Sequence, residues 1–132
     1  MMQRRCVSSG TPWEEQNAYS RVVRVGSFVY VSGTTASDAS GTIQHPNDPY
    51  AQTVYVLRKI ETALQSVDAS LDHVVRTTVY VTDIEQFPHI SKAHKEFFDT
   101  IRPANTLLEV SRLATPEMLV EIAVDAVIAD EA

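Results

Sequence analysis

Apolar positions along the chain change period several times, and each change marks an element. From Tyr19 to Val25 the sequence alternates loosely and is rich in valine. After Gly26-Ser27 comes a short apolar and aromatic run, Phe28-Val-Tyr-Val-Ser32. Two such runs separated by two residues that include glycine predict a β-hairpin. Residues 33–48 are small and polar and predict a loop. Residues 1–16, polar around Trp13, predict an irregular N-terminal segment. Asp48-Pro49 reads as a helix start, an acidic N-cap followed by proline in the first turn. Behind it Val54, Leu57, Ile60, Leu64, Val67 and Leu71 recur every three or four residues. That stripe predicts an amphipathic helix over about 50–67.

The β-branched run Val74–Val81 predicts a strand. Asp83, with Gln86 three residues on, is an acidic variant of the capping box. Phe87, Ile90, Ala93, Phe97 and Ile101 then predict a second helix, ended before Pro103. Thr106–Val110 and Met118–Ile128 predict the last two strands. The order β-β-α-β-α-β-β is that of an α+β fold, one domain over 1–132, with two helices on one face of a mixed sheet.

The strands also predict what lies on the other face. In the last strand Val120, Ile122, Val124, Ala126 and Ile128 point one way, toward the helices, and Glu121, Ala123 and Asp125 point the other. In the preceding strand Asn105, Leu107 and Glu109 are assigned to the same open face as Glu121. A face of scattered acids, Leu and Ala suits a wet subunit interface better than bare solvent.

Composition narrows the function. At 132 residues, 44% apolar and 21% charged, the chain is a globular domain with one core. No apolar run approaches the ~20 residues of a membrane span. Polar residues rather than an apolar stretch follow Arg4-Arg5, so no secretory signal is expected. The single cysteine, Cys6, is expected to be a free thiol, consistent with a cytoplasmic location. Net charge is −6, and residues 67–132 hold most of the acids. Beyond Arg4-Arg5 and Arg21/Arg24 no basic cluster exists, so nucleic acid is not the expected partner.

Strong motifs are missing: no P-loop, no G-x-G-x-x-G, no G-x-S-x-G and no C-x-x-C. His89 and His94 share a helix but lie five residues apart, about 140° around it, and do not form a metal-binding face. Three features remain. Ser32-Gly33-Thr34-Thr35 follows a strand directly and is either a strand-ending turn or a holder of a small polar ligand. Asn105 stands at the mouth of a strand. Glu121 stands on the open face, as an ion-pair partner or as a working carboxylate.

At these residues the chain resembles the YjgF or reactive-intermediate deaminase (Rid) family, formerly called endoribonuclease L-PSP. The resemblance covers roughly 17–128. It is carried by Tyr19 with the following Arg21-Val-Val-Arg-Val-Gly26, by Phe28-Val-Tyr-Val-Ser-Gly-Thr-Thr35, and by Ala51-Gln-Thr53. It continues through Asp72 to Asp83, Arg102-Pro-Ala-Asn-Thr-Leu-Leu-Glu-Val-Ser-Arg-Leu113 and Leu119-Val-Glu-Ile122. Gly10-Thr-Pro-Trp-Glu-Glu15 also resembles a subgroup of bacterial members. The resemblance implies a chorismate-mutase-like fold and a homotrimer with clefts between subunits. It further implies hydrolysis of small enamines and imines such as 2-aminoacrylate without metal or organic cofactor. It assigns Tyr19, Ser32 and Gly33 to the cleft and Glu121 to the attacking water. The family's arginine falls on Asn105, its frequent cysteine on Leu107, and its helix asparagine on Ser91. Arginine grips a carboxylate with a two-pronged charged hydrogen bond; asparagine offers one neutral amide. The expected function is hydrolysis of a small imine, enamine or related substrate other than 2-aminoacrylate. The alternative is a non-catalytic small-molecule-binding or regulatory trimer.

Overall fold

The computed structural model of the chain describes residues 2–129. In chain order the elements are β1 (Arg4–Val7), α1 (Pro12–Asn17), β2 (Val22–Val25), β3 (Phe28–Thr34), α2 (Pro49–Gln65), β4 (Val74–Val81), α3 (Phe87–Phe98), β5 (Ala104–Glu109) and β6 (Val120–Val127). They form one six-stranded sheet in the order β1-β2-β3-β6-β4-β5. Only β4 and β5 run parallel, joined through α3. Among the described residues no helix is long and apolar enough to cross a membrane.

Helix α2 starts where the sequence indicates: the Asp48 carboxylate accepts from the Ala51 amide at 3.0 Å, and Pro49 follows. Its buried face is Gln52, Thr53, Val56, Leu57, Ile60, Ala63 and Leu64. Gln52 is polar yet fully buried, and its amide is used on both sides. Nε2 donates to Glu117 O at 2.8 Å and Oε1 accepts from Leu119 N at 3.0 Å, which fixes the entry into β6. Strand β6 alternates strictly between buried and half-buried positions, as expected for a central strand with one covered face.

Four expectations are corrected. Residues 1–16 are not irregular: Arg4–Val7 pairs antiparallel with Val22–Val25 at the sheet edge, and Pro12–Asn17 is a short helix ended by Ala18 at φ 59. Charged edge strands carry little apolar alternation, so β1 left no period to read. Asp83 caps a 3-10 turn, Ile84–Gln86, by accepting from Glu85 N at 3.0 Å, rather than α3 itself. Phe87 therefore lies at the α3 entrance, 52% exposed, while Ile90, Ala93 and Phe98 form the inward face. Finally, β5 has the opposite phase: parallel pairing sets Asn105 opposite buried Thr77 and Leu107 opposite buried Val79, on the helix side. Its two faces each carry a leucine, and an edge strand is too exposed for alternation to decide between them.

Both long helices cover the same face. The other face presents Phe28 and Tyr30, about half exposed, with Arg76, Thr78, Tyr80, Glu121 and Asp125. We expect Leu57→Ala to cost about 2–5 kcal/mol and Phe87→Ala to stay within about 1 kcal/mol. Urea unfolding midpoints at fixed protein concentration check both.

Candidate functional site

The site begins at an irregularity in the sheet. Between β3 and β6 the register runs Val31↔Val124 and then Thr34↔Ile122, so β3 carries one extra residue at Ser32–Gly33. Such a bulge bends the strand and strips backbone groups of ladder partners. Arg21, buried just before β2, takes up those carbonyls. Its Nη1 donates to Gly33 O at 2.7 Å and to Thr34 Oγ1 at 3.0 Å, with Ser32 O at 3.5 Å. The Ser32 hydroxyl donates to Ser20 O at 2.6 Å. The next carbonyls along the chain are held by Lys59 of α2, whose ammonium donates to Thr35 O and Ser37 O, each at 2.8 Å, and to Ser37 Oγ at 3.1 Å. Burial, with Arg21 nearby, lowers the Lys59 pKa to about 8.

Arg21 is balanced by Glu14 of α1, also buried, with Oε2 at 3.3 Å from Nη2. Glu14 further accepts from Ser9 N at 2.9 Å, from the Ser9 hydroxyl, and from Thr11 Oγ1 at 2.8 Å. Burial alone would raise its pKa, but these donors outweigh burial and hold it down at about 2.

Glu121 of β6 rests against Gly33. A Cβ at that glycine would collide with its carboxylate, so the missing side chain is what makes room. The residue is half-buried, and among the described residues no donor reaches its oxygens within hydrogen-bond distance. Burial pushes its pKa up, and the Arg21 charge pulls partly against that shift. On its other flank stands Tyr80 of β4. Tyr19 lies over the Arg21 guanidinium, 5.6 Å from ring centroid to Cζ. The structure thus gathers Tyr19, Ser32, Gly33 and Glu121 around one buried arginine.

Asn105, Leu107 and Ser91 do not join that group within one chain. The Asn105 amide donates to Thr77 Oγ1 at 2.9 Å, and Thr77 Oγ1 bonds His94 Nε2 of α3 at 2.8 Å. Leu107 packs against the core, and Ser91 is exposed on α3. Burial lowers the His94 pKa. Sequence reading missed Glu14, Arg21 and Lys59 as a unit. The available signal was a charged residue, Arg21, opening an otherwise valine-rich strand, where burial demands a partner.

A cavity of about 650 Å³ lies between the N-terminal segment and α2, lined among others by Val7, Ser9, Arg21, Val54, Tyr55 and Lys59; it shares Arg21 and Lys59 with the site, and Glu121 is not in its wall. Among the described residues no three His, Cys, Asp or Glu side chains gather where they could hold a metal ion.

A half-covered mixed sheet with a carboxylate set beside a strand bulge defines a small α+β protein with a polar site on its open face. Residues 11–128 match the sequence model of the family described as Endoribonuclease L-PSP, and the chain belongs to that family. The crystal structure of a Mycobacterium tuberculosis member of the YjgF/YER057c/UK114 family superposes with a TM-score of 0.87 at 43% identity, covering 96% of this chain and 100% of that one. An uncharacterized protein of Streptomyces coelicolor is 35% identical over 122 residues, 92% of this chain and 90% of its own length. A RutC family protein of Pyrococcus abyssi is 34% identical over 104 residues, 79% of this chain and 81% of its own.

Glu14 gives the site a pH signature. Its folded pKa, about 2, lies below the ordinary 4.5, so its stabilisation is complete above pH 4.5 and fades as pH falls toward 2. The stability gap between wild type and Glu14→Gln, from urea midpoints across that range, should therefore narrow as pH falls.

Proposed function

We propose that this protein binds a small molecule at Glu121 and hydrolyses it, the substrate being an imine, enamine or related compound other than 2-aminoacrylate. The observation that carries the reading is the Glu121 carboxylate: half-buried, without a donor among the described residues, and shifted by burial toward accepting a proton. In this reading Glu121 takes a proton from water as the water oxygen bonds to the C=N carbon, and passes that proton to the nitrogen to give a carbinolamine. Glu121 then takes the carbinolamine hydroxyl proton and passes it to the nitrogen as the C–N bond breaks, a C=O forms and ammonia leaves, so the carboxylate ends ionised. Tyr19 and Ser32 position the substrate. The Ser32 hydroxyl already donates to Ser20 O, so it serves a ligand only as acceptor.

The cleft is proposed to lie between the subunits of a homotrimer. Glu121 faces the open side of the sheet and Asn105 the helix side. The residues assigned to one cleft therefore meet only where the β5 edge of one chain approaches the open face of another. The half-exposed Phe28 and Tyr30 on that face also fit burial by a neighbour. Sedimentation equilibrium at micromolar concentration should return three times the 14.7 kDa chain mass; a monomer mass rejects the assembly. RNA is poorly supported as a ligand, given a net charge of −6 and site cations already bound to the chain itself.

One observation favours the second reading, a non-catalytic ligand-binding or regulatory trimer. Asn105 stands where the resemblance expects a carboxylate-gripping arginine, and one of its amide protons is engaged by Thr77. A desolvated carboxylate without a cation is costly. We therefore expect little acceleration with 2-aminoacrylate supplied by a coupled dehydratase, partly recovered in Asn105→Arg. On a panel of imines without a carboxylate we expect ammonia release, reduced about 10²–10⁴-fold by Glu121→Gln. Ligand binding by calorimetry with no ammonia from any imine would favour the second reading.

A further inference from the structure

The Thr11-Pro-Trp-Glu14 segment is distant from the open face, yet its acid ends inside the site. Most of the Arg21 polar edge is engaged within the chain: Nη1 donates to the Gly33 carbonyl and the Thr34 hydroxyl, and Nε and Nη2 point at Glu14 Oε2, at 3.4 and 3.3 Å, which uses four of its five N–H groups. Its strongest effect on the Glu121 side of the sheet is therefore through the groups it holds. Those groups are the bulge itself, and against the bulge lies the Glu121 carboxylate.

We propose that Arg21, anchored by Glu14, is a positioning residue for Glu121: it fixes the Ser32–Gly33 bulge on which the carboxylate rests and keeps a compensated positive charge beneath it. The functional part of the inference rests on Glu121 as the base. The geometry demands this arrangement. Guanidinium alone satisfies two adjacent carbonyl-side acceptors and a carboxylate at once through a rigid planar fork. Without it, the Gly33 carbonyl would lose its guanidinium donor, while Ser32 O would keep the Thr34 hydroxyl at 2.7 Å, and the strand would relax toward regular pairing. That would swing Gly33 away from Glu121 or push another backbone group into the carboxylate's space. The pairing with Glu14 is equally specific. A buried lone cation would bind Glu121 as its counter-ion and tie up the carboxylate that the site needs free. Glu14 takes that role instead, held in its ionised form by Ser9 and Thr11. So the two acids divide the work: one neutralises the arginine, the other remains available.

The charged and titratable groups around Glu121 are few. Arg21 approaches from the start of β2 and Glu14 lies beyond it on α1. Tyr80 faces Glu121 from β4, Tyr19 lies against the Arg21 guanidinium, and among the described residues of β3 Ser32 and Gly33 are the neighbours of Glu121. On β6 itself Asp125 lies four residues along the same face, at 3.9 Å from Arg76. Lys59 is turned to Thr35 and Ser37. Arg21 is thus the cation whose removal Glu121 should register.

The test is a carbon-13 NMR titration of side-chain carboxyls in the full-length protein, with Glu121 assigned through Glu121→Gln. Glu14→Gln leaves the Arg21 charge uncompensated and should lower the Glu121 midpoint. Arg21→Gln removes the cation and should raise it. The double variant Glu14→Gln/Arg21→Gln leaves no buried charge unpaired, folds where the single variant fails, and should also raise it. Arg21→Lys keeps the charge but loses the fork. It should leave the midpoint near wild type, shift the Gly33 amide resonance, and lower kcat/KM roughly ten- to a hundredfold. A Glu121 midpoint that stays put in the single and double variants, or moves the same way in Glu14→Gln and Arg21→Gln, overturns the proposal. Midpoints that move as stated in a protein releasing no ammonia uphold the positioning role and reject only Glu121 as a hydrolytic base.

Discussion

A backbone leaving a sheet must find donors for its carbonyls, and in this protein a buried arginine and a half-buried lysine supply them. From Ser32 to Ser37 the chain departs from the regular β3 ladder. Arg21 holds the carbonyls of the bulge and Lys59 those of Thr35 and Ser37. The cost of burying a guanidinium is offset by Glu14, which is itself held by Ser9 and Thr11. Strand β1, helix α1, the β2 start, the bulge and the middle of α2 are thereby tied at one point. The position of Glu121 follows from that knot, because β6 passes directly beside Gly33.

The sheet is asymmetric in a way that gives its faces different tasks. Beneath α2 and α3 lie the fully buried valines and isoleucines of β3, β4 and β6, which supply the stability. The opposite face buries little by itself and carries Glu121, Tyr80, Arg76 and Asp125. The register of β5 on β4 sets Asn105 opposite buried Thr77, so the β5 edge offers Asn105 to the helix side. One chain therefore holds two separated half-sets of polar groups.

Much of this was legible where burial enforces a strict period. The alternation of Val120 to Ala126, the β-branched run of β4 and the stripe of α2 could be read directly, and Glu121 was assigned its correct face from β6 alone. The phase of β5 could not be read: Leu107 and Leu108 are adjacent, and parallel pairing to Thr77 and Val79 decides between them. Strand β1 was invisible because a charged edge strand is specified by its partner rather than by its own pattern. Glu14 and Arg21 lie only seven residues apart, but no local period links a helix acid to a strand arginine. Their pairing is created by the turn at Ala18 and by the bulge in the neighbouring strand β3.

Gly33 and Glu121 draw on one shared volume. The space that a methyl group would occupy on one strand is filled by the carboxylate of the next. The two positions are therefore not free to vary independently. Alanine at 33 requires the Glu121 carboxylate, the far end of a flexible side chain, to swing out of its present place, or that side chain to shorten to aspartate, which withdraws the charged group by about 1.5 Å, one C–C bond. A divergent relative could thus move its carboxylate across the cleft floor by a paired exchange of bulk between two strands, with the backbone unchanged. In that sense the bulge glycine sets a ruler for the site, and the reach of the acid is written at a residue that has no side chain.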